Sequence, residues 1–371
     1  MRIGFDAKRA FFNRSGLGNY SRNMIQYLAN VFPKEEYFLF TPPVKGKNLF
    51  EVPGKSHIIS PGTKLERMFP SLWRSVSITN EISALNIDIF HGLSNELPLH
   101  IYNSKAKSVV TIHDLIFMRY PQWYKPVDRY IYKKKFHHAC NNADKIVAIS
   151  EQTKADIIYY FGINPDKISV VYQGCNPIFY VPVSDEKKKE TSKKYHLPEN
   201  YILTVGTIEK RKNLLTLIKA MQNIKFPVPL VAVGRNTDYA REVRQYIDKN
   251  KLGNKVFILN DVKTEELPAI YQMSTIFVYP SIFEGFGIPV IEALNSEIPV
   301  ITTQKGCFSE AGGKHSIYIN PENPEEMGEA INKVLKDKNL RNTMIQNGKK
   351  HALNFREEKI ANNLMKEYRT L

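Results

Sequence analysis

Short, nearly continuous apolar runs recur along the whole chain. They are 2–7 (RIGFDA), 37–40 (YFLF), 87–90 (IDIF), 108–112 (SVVTI), 145–149 (KIVAI) and 168–172 (ISVVY), then 201–206 (YILTVG), 229–234 (PLVAVG), 255–259 (KVFIL), 274–279 (STIFVY), 299–302 (PVIT) and 316–319 (SIYI). Runs this short, rich in Val and Ile and bounded by Gly, Pro or Asp, suit strands buried on both faces. Between them the apolar positions fall at helical spacing, as in 19–32 (NYSRNMIQYLANVF) and 212–224 (KNLLTLIKAMQNI). Such alternation predicts an α/β fold of parallel sheets with crossover helices. It breaks once, over 178–200, where strand signals stop and charge dominates. The expected organisation is an N-terminal domain over 1–178, a linker over 179–200 holding a short exposed helix, a C-terminal domain over 201–353 and a final helix over 354–371. Two similar α/β domains facing one another across a cleft are the natural reading.

Composition narrows the class. Of 371 residues, 43% are hydrophobic and 24% charged, which excludes collagen, coiled coil and wholesale disorder. No apolar run approaches the ~18 residues of a membrane span. Asp6 falls where a signal peptide needs its apolar core, so a cytoplasmic chain is expected. Cys140, Cys175 and Cys307 lie far apart with no CxxC pair, which argues against a disulfide framework or a thiolate zinc site. Charge changes the picture most: 52 Lys and Arg against 37 Asp and Glu leave +15. That surplus implies an anionic partner, whether phosphates, nucleic acid or an acidic membrane face. Nucleic acid is disfavoured, because the cations spread over both halves and no known binding module appears.

In open parallel sheets ligands bind beyond the carboxyl ends of strands. After the run 274–279 come Pro280-Ser281, then Glu284-Gly285-Phe286-Gly287, and a helix pattern from Pro289. Glycines let backbone approach a ligand, and a helix start attracts anions. Glu284 and Glu292 are eight residues apart. Either they grip hydroxyls on two parts of a long polar ligand, or they are exposed glutamates beside a structural turn. After 201–206 stand Arg211 and Lys212, at the expected start of a helix, where paired cations suit a diphosphate and its charge in a transition state. A solvated basic turn is the alternative. His113 and Asp114 follow the run 108–112 and could bind a sugar, move a proton, cap a helix or fill a domain interface. Gly16 and Gly18 precede a helix without the third glycine of a dinucleotide fingerprint. No two aspartates are separated by a single residue, and no Walker A, HExxH or GxSxG pattern occurs. Metal-independent chemistry with no cofactor is therefore expected.

The segments VGTIEKRKN (205–213), LNDVKTEELPAIY (259–271) and EGFGIPVIEAL (284–294) together resemble glycosyltransferase family 4, most closely its bacterial mannosyltransferase-like branch. IHDL (112–115), ADKIVAISE (143–151) and VVYQGCN (170–176) match in order, so the resemblance spans nearly the whole chain. It implies the GT-B fold, two Rossmann-like domains with parallel sheets facing across a cleft, and a last helix returning to the N-terminal domain. The implied activity is a retaining hexosyl transfer from a nucleotide-sugar, with mannose and guanine favoured by the branch, to a glycan or lipid-linked acceptor in surface polysaccharide synthesis. Carried over by position, Glu284 contacts the transferred sugar, and backbone N–H groups of Phe286 and Gly287 lie near sugar and phosphates. Glu292 holds the ribose, Lys212 the diphosphate, and Val262 lies where main-chain groups meet the base. His113 sits beside the donor sugar and Gly16 and Gly18 near the donor. Where many members carry VGRL, this chain has Val205-Gly206-Thr207-Ile208, so Arg211 is expected to supply the missing charge while Thr207 keeps its place at the donor. Ser150 reads as a helix N-cap. A nucleotide-sugar epimerase of the same fold and a non-catalytic sugar-nucleotide binding protein are the rival readings, separable by turnover.

Segment 119–138 interleaves Arg119, Lys125, Arg129 and Lys133, Lys134 and Lys135 with Tyr120, Trp123, Tyr124, Tyr130, Tyr132 and Phe136, and 64–74 (KLERMFPSLWR) is a similar mix. Cations with aromatics suit anionic lipid headgroups, so peripheral docking on the inner face of the cytoplasmic membrane is one expectation. A solvated helix whose rings belong to the core is the other.

Overall fold

A computed structural model describes residues 1–44 and 49–371. The chain divides into two units: residues 1–174 with 356–371, and residues 175–355.

The first unit is built on a seven-stranded parallel sheet. Its strands are β1 (Arg2–Asp6), β2 (Glu36–Phe40), β3 (Ser56–Ile59), β4 (Ile89–Gly92), β5 (Lys107–Ile112), β6 (Lys145–Ala148) and β7 (Ile168–Val170), ordered β3-β2-β1-β4-β5-β6-β7. The second unit carries β8 (Ile202–Val205), β9 (Leu230–Val233), β10 (Val256–Leu259), β11 (Ile276–Tyr279), β12 (Val300–Thr303) and β13 (Ile317–Ile319), ordered β10-β9-β8-β11-β12-β13. Every pairing is parallel. Both sheets thus wind outward in two directions from a central pair, β1/β4 and β8/β11, as in Rossmann-type folds.

Each apolar run noted above forms a strand, because helices cover both faces of a parallel sheet and most strand positions are buried. The exception is β3, which the pattern missed. It is an edge strand with His57 and Ile58 exposed, so its sequence has no continuous apolar run to read. Separate cores lie against the two sheets, one including Phe40, Trp73, Phe90, Val110 and Ile146, the other Ile202, Leu217, Val278, Ile301 and Ile331. Burying side chains of this size contributes roughly 1.5–3 kcal/mol each.

One segment, 179–200, differs from the expected organisation, and the last helix follows it. The stretch 179–200 is part of the second unit rather than a free linker. A short turn at Pro177–Tyr180 buries Phe179 against Tyr271, and the helix Asp185–Tyr195 is capped by Ser184 and tied down by Lys194 on Glu266 at 2.7 Å. The last helix, Glu357–Arg369, belongs to the first unit. Ile360, Ala361, Leu364, Met365 and Tyr368 form its buried stripe, and Glu357 and Glu367 accept from Asn30 (2.7 Å) and Ser169 (2.6 Å). All three cysteines are buried and take part in no disulfide. Among the described residues no helix is long and apolar enough to cross a membrane.

Candidate active site

The second sheet reverses its strand order between β8 and β11, so the loops leaving these two strands meet at the carboxyl end of the sheet. The loop after β8 runs from Gly206 to a tight turn, Lys210–Lys212, ending at Asn213 with φ of 59°. The left-handed Asn213 breaks the chain direction, so Arg211 and Lys212 precede the helix Leu214–Ala220 instead of opening it. They therefore act through their own charges rather than through a helix dipole. The loop after β11 ends at Gly287, whose φ of 103° favours glycine, and leads into the helix Ile288–Asn295 with Pro289 in its first turn.

These loops bring Arg211, Lys212 and Glu284 into one buried cluster. Glu284 Oε2 lies 2.6 Å from Arg211 Nη1, and Oε1 lies 2.6 Å from Lys212 Nζ. Oε1 also accepts from Ser281 Oγ at 2.6 Å and Tyr279 OH at 3.1 Å. Arg211 donates to the Phe283 carbonyl (2.8 Å) and to Glu209 (2.7 Å), and Lys212 donates to Tyr279 OH (2.6 Å). Burial pushes the Glu284 carboxyl upward, but Arg211 and Lys212 outweigh it and hold it at about 2. Burial pulls the Lys212 ammonium below the usual lysine range, against the pull of Glu284. Spacing alone left Glu284 either gripping a hydroxyl or exposed beside a turn. In the structure it is the common counter-ion of both cations.

Glu292 projects one turn into the helix Ile288–Asn295, where its Oε2 accepts from Tyr271 OH at 2.8 Å. Burial raises its carboxyl to about 7, opposed by the Tyr271 hydrogen bond and by Lys212. Phe286 is buried with its ring 5.5 Å from Phe355, so its side chain anchors the loop. Thr207 and Val262 are half-buried on the loops after β8 and β10. Among the described residues no group of three or more His, Cys, Asp or Glu side chains is arranged around a metal position.

The first unit holds the other sequence candidates. His113 follows β5, its backbone N–H donating to Asn95 Oδ1 at 2.8 Å. His113 Nε2 lies 2.9 Å from the Leu93 carbonyl, which fixes the proton there and leaves Nδ1 as an acceptor. Burial lowers this imidazole to about 4, with the Leu93 carbonyl acting in the opposite direction. At neutral pH His113 is thus suited to accept from a hydroxyl, not to donate a proton. Asp114 accepts from the Ile116 N–H at 3.0 Å and shapes the following turn. Ser150 accepts from the Thr153 N–H and caps the helix Glu151–Phe161.

Gly16 and Gly18 differ in kind. A Cβ at Gly18 would lie 1.9 Å from the Asn13 carbonyl oxygen, so packing within the unit demands that glycine. A Cβ at Gly16 would meet nothing within 4 Å. Their helix, Gly16–Val31, carries Tyr20, whose ring meets the His113 ring edge-on at 4.5 Å. Tyr20 OH lies 3.0 Å from Thr111 Oγ1, which is 2.8 Å from His91 Nε2, and His91 Nδ1 reaches Tyr368 OH on the last helix at 2.5 Å.

Sequence reasoning missed Glu209, Tyr271, Tyr279 and Ser281. Tyr279 and Tyr271 lie in apolar stretches and read as core, which their rings are. Glu209, two residues before Arg211, was legible only as one more surface charge.

Comparison with known proteins gives the family of the chain. The model described as "Glycosyltransferase Family 4" matches residues 14–178, and "Glycosyl transferases group 1" matches 184–351, so the two together account for most of the chain. The chain is similar to O-antigen chain mannosyltransferase B of Escherichia coli, with 26% identity over 100% of both chains. It is also similar to O-antigen chain mannosyltransferase RfbU of Salmonella typhimurium, with 28% identity over 82% of this chain and 79% of that one. Among solved structures, Anabaena HepE in complex with UDP and glucose superposes with a TM-score of 0.77 at 17% identity, over 100% of both chains, which shows the shared GT-B fold. Two doubly wound parallel sheets, matched along their length by the two halves of one enzyme family, make this chain a member of the family 4 glycosyltransferases.

Proposed function

We propose that the protein is a retaining, metal-independent hexosyltransferase that takes a nucleotide-sugar donor, with mannose favoured by the names of its relatives, and a sugar or lipid-linked acceptor in bacterial surface polysaccharide synthesis. The observation that carries this reading is the Arg211–Lys212 pair, buried beside Glu284 where the second sheet reverses its order. The bond between the anomeric carbon and the diphosphate oxygen breaks, and a bond from that carbon to an acceptor hydroxyl oxygen forms on the same face. The nucleoside diphosphate leaves, and the acceptor proton is released. Arg211 and Lys212 meet the charge that grows on the leaving oxygen. Glu284 orients both cations and offers its carboxylate to the sugar. Glu292 accepts from ribose hydroxyls.

Calorimetric titration of GDP, UDP and ADP, with and without magnesium, into wild type and Glu292→Ala tests this reading. One nucleotide is expected to bind at micromolar affinity without metal, and the variant to lose at least tenfold, about 1.4 kcal/mol. Binding that requires metal, or that ignores Glu292, contradicts it. Ribose hydroxyls need the ionised carboxylate, and Glu292 is held at about 7. Nucleotide affinity should therefore rise between pH 6 and 8 and level off above. In Glu292→Gln that rise should vanish.

We also propose that the first unit touches an anionic membrane leaflet. Thr63 and Glu66 form a capping box, and the segment behind it exposes more than half of Leu65, Met68, Phe69 and Leu72 at helical spacing. The helix Pro126–Asn142 exposes Val127, Tyr130 and Ile131 in the same way, with Lys133, Lys134 and Lys135 beside them. A stripe of this size open to solvent marks an interaction face, and the cations select its sign. Several residues that suggested docking belong elsewhere. Trp73 is buried and donates to Glu81, Phe136 is core, and Arg119 pairs with buried Asp156. Vesicles containing anionic lipid should float the wild type in low salt, while Leu65→Ser/Phe69→Ser should stay unbound. Equal binding to neutral vesicles removes the proposal.

A further inference from the structure

The two cations assigned to the donor diphosphate are already neutralised within the protein. Arg211 and Lys212 face Glu284 and Glu209, so the cluster has no net formal charge. An incoming diphosphate must therefore exchange with a resident carboxylate, and the two carboxylates are held very differently. Glu284 is pinned by both cations, Ser281 and Tyr279, and its side chain is 11% exposed. Among the described residues the Glu209 carboxylate pairs with Arg211 alone, at 2.7 Å, and its side chain is 35% exposed. Its backbone is extended at the start of the Lys210–Lys212 turn, and its side chain caps no N–H of that turn.

We propose that Glu209 is a built-in competitor anion, which occupies Arg211 in the empty site and is displaced by the donor diphosphate. It sets how tightly nucleoside diphosphates bind, holding Arg211 extended and paired while the site is empty, and weakening retention of the product that carries the same diphosphate. Each diphosphate that binds frees one Glu209 carboxylate to water. A nucleoside without phosphate displaces nothing, so its affinity is independent of Glu209. The inference rests on the reading of this site as a diphosphate cradle.

The test is calorimetry on the full chain, with GDP and UDP as diphosphate probes and guanosine and uridine as phosphate-free controls. Glu209→Gln removes the charge. Glu209→Asp keeps it but withdraws it by one methylene, so net charge and contact are separated. Glu209→Gln is expected to bind the preferred nucleoside diphosphate about three- to tenfold more tightly than wild type, and Glu209→Asp to fall between. Nucleoside binding should be unchanged in both. Diphosphate affinity that is equal or weaker in Glu209→Gln overturns the proposal, as does an equal gain for the bare nucleoside. If wild type binds neither GDP nor UDP, the diphosphate cradle itself is wrong and the competitor falls with it. If wild type binds and only the Glu209 variants fail to tighten, the cradle stands and the competitor alone is refuted.

Discussion

Lys212→Ala is expected to lower the rate of sugar transfer by about a thousandfold while leaving the fold intact, the largest single effect on activity at this site. The ammonium is mostly shielded, on a side chain 16% exposed, and lies 2.6 Å from both Glu284 and Tyr279 OH. A buried cation stabilises growing negative charge far better than one in water, because little solvent screens it. That charge appears on the leaving diphosphate only as the glycosidic bond breaks, so the loss should fall mainly on kcat. Nucleotide affinity should fall less, because Arg211 remains. The variant also relieves a strained protonation, since burial already pulls the Lys212 ammonium down. Initial rates with the donor that calorimetry selects measure the effect. A kcat within threefold of wild type would remove Lys212 from the chemistry.

Glu284→Ala acts first on stability. It leaves Arg211 and Lys212 facing one another with only Glu209 for compensation, and removing one partner of a buried ion pair costs about 3–5 kcal/mol. The melting transition of the second unit should drop by roughly 6–15 °C. The wild type carries the same interaction as a pH signature. Glu284 is held at about 2 in the folded chain, below the ordinary value of 4.5. Its contribution of about 3 kcal/mol is complete above pH 4.5 and fades as the pH falls towards 2. Glu284→Gln, which cannot titrate, should therefore be less stable at pH 6 and flatter between pH 5 and 2. Urea midpoints measured at several pH values decide it. A variant with the wild-type slope would show that another carboxylate governs the acid transition.

These two effects start from one feature that a linear reading cannot reach. Arg211 and Lys212 were visible as a double cation, and Glu284 as a carboxylate in a glycine-rich loop. Nothing in their spacing of more than 70 residues says that they touch. They touch because β8 and β11 are neighbours in the strand order, so the loops that follow them leave the sheet side by side. The same argument covers Tyr279. As the last residue of an apolar strand it reads as core, yet its hydroxyl emerges at the strand end between Lys212 and Glu284. His113 was open between several roles until the Leu93 carbonyl fixed which ring nitrogen keeps the proton. Gly18, placed near the donor only by resemblance, is demanded by the Asn13 carbonyl beside it.

By itself the sequence determined the α/β class, nearly every strand, and the two loops that carry Arg211, Lys212 and Glu284. Strands buried on both faces must be apolar throughout, and ligand loops must turn sharply on Gly, Pro and polar residues at strand ends. Both demands are local, and local patterns record them. The edge strand β3 escaped because one side of it is solvent and the demand is relaxed. Only the tertiary structure decided which charges neutralise which, which carboxylate is buried and which is half-exposed, and which tautomer His113 keeps. Those outcomes depend on distances between segments far apart in the chain and on the water excluded between them, and strand order, not residue order, sets both.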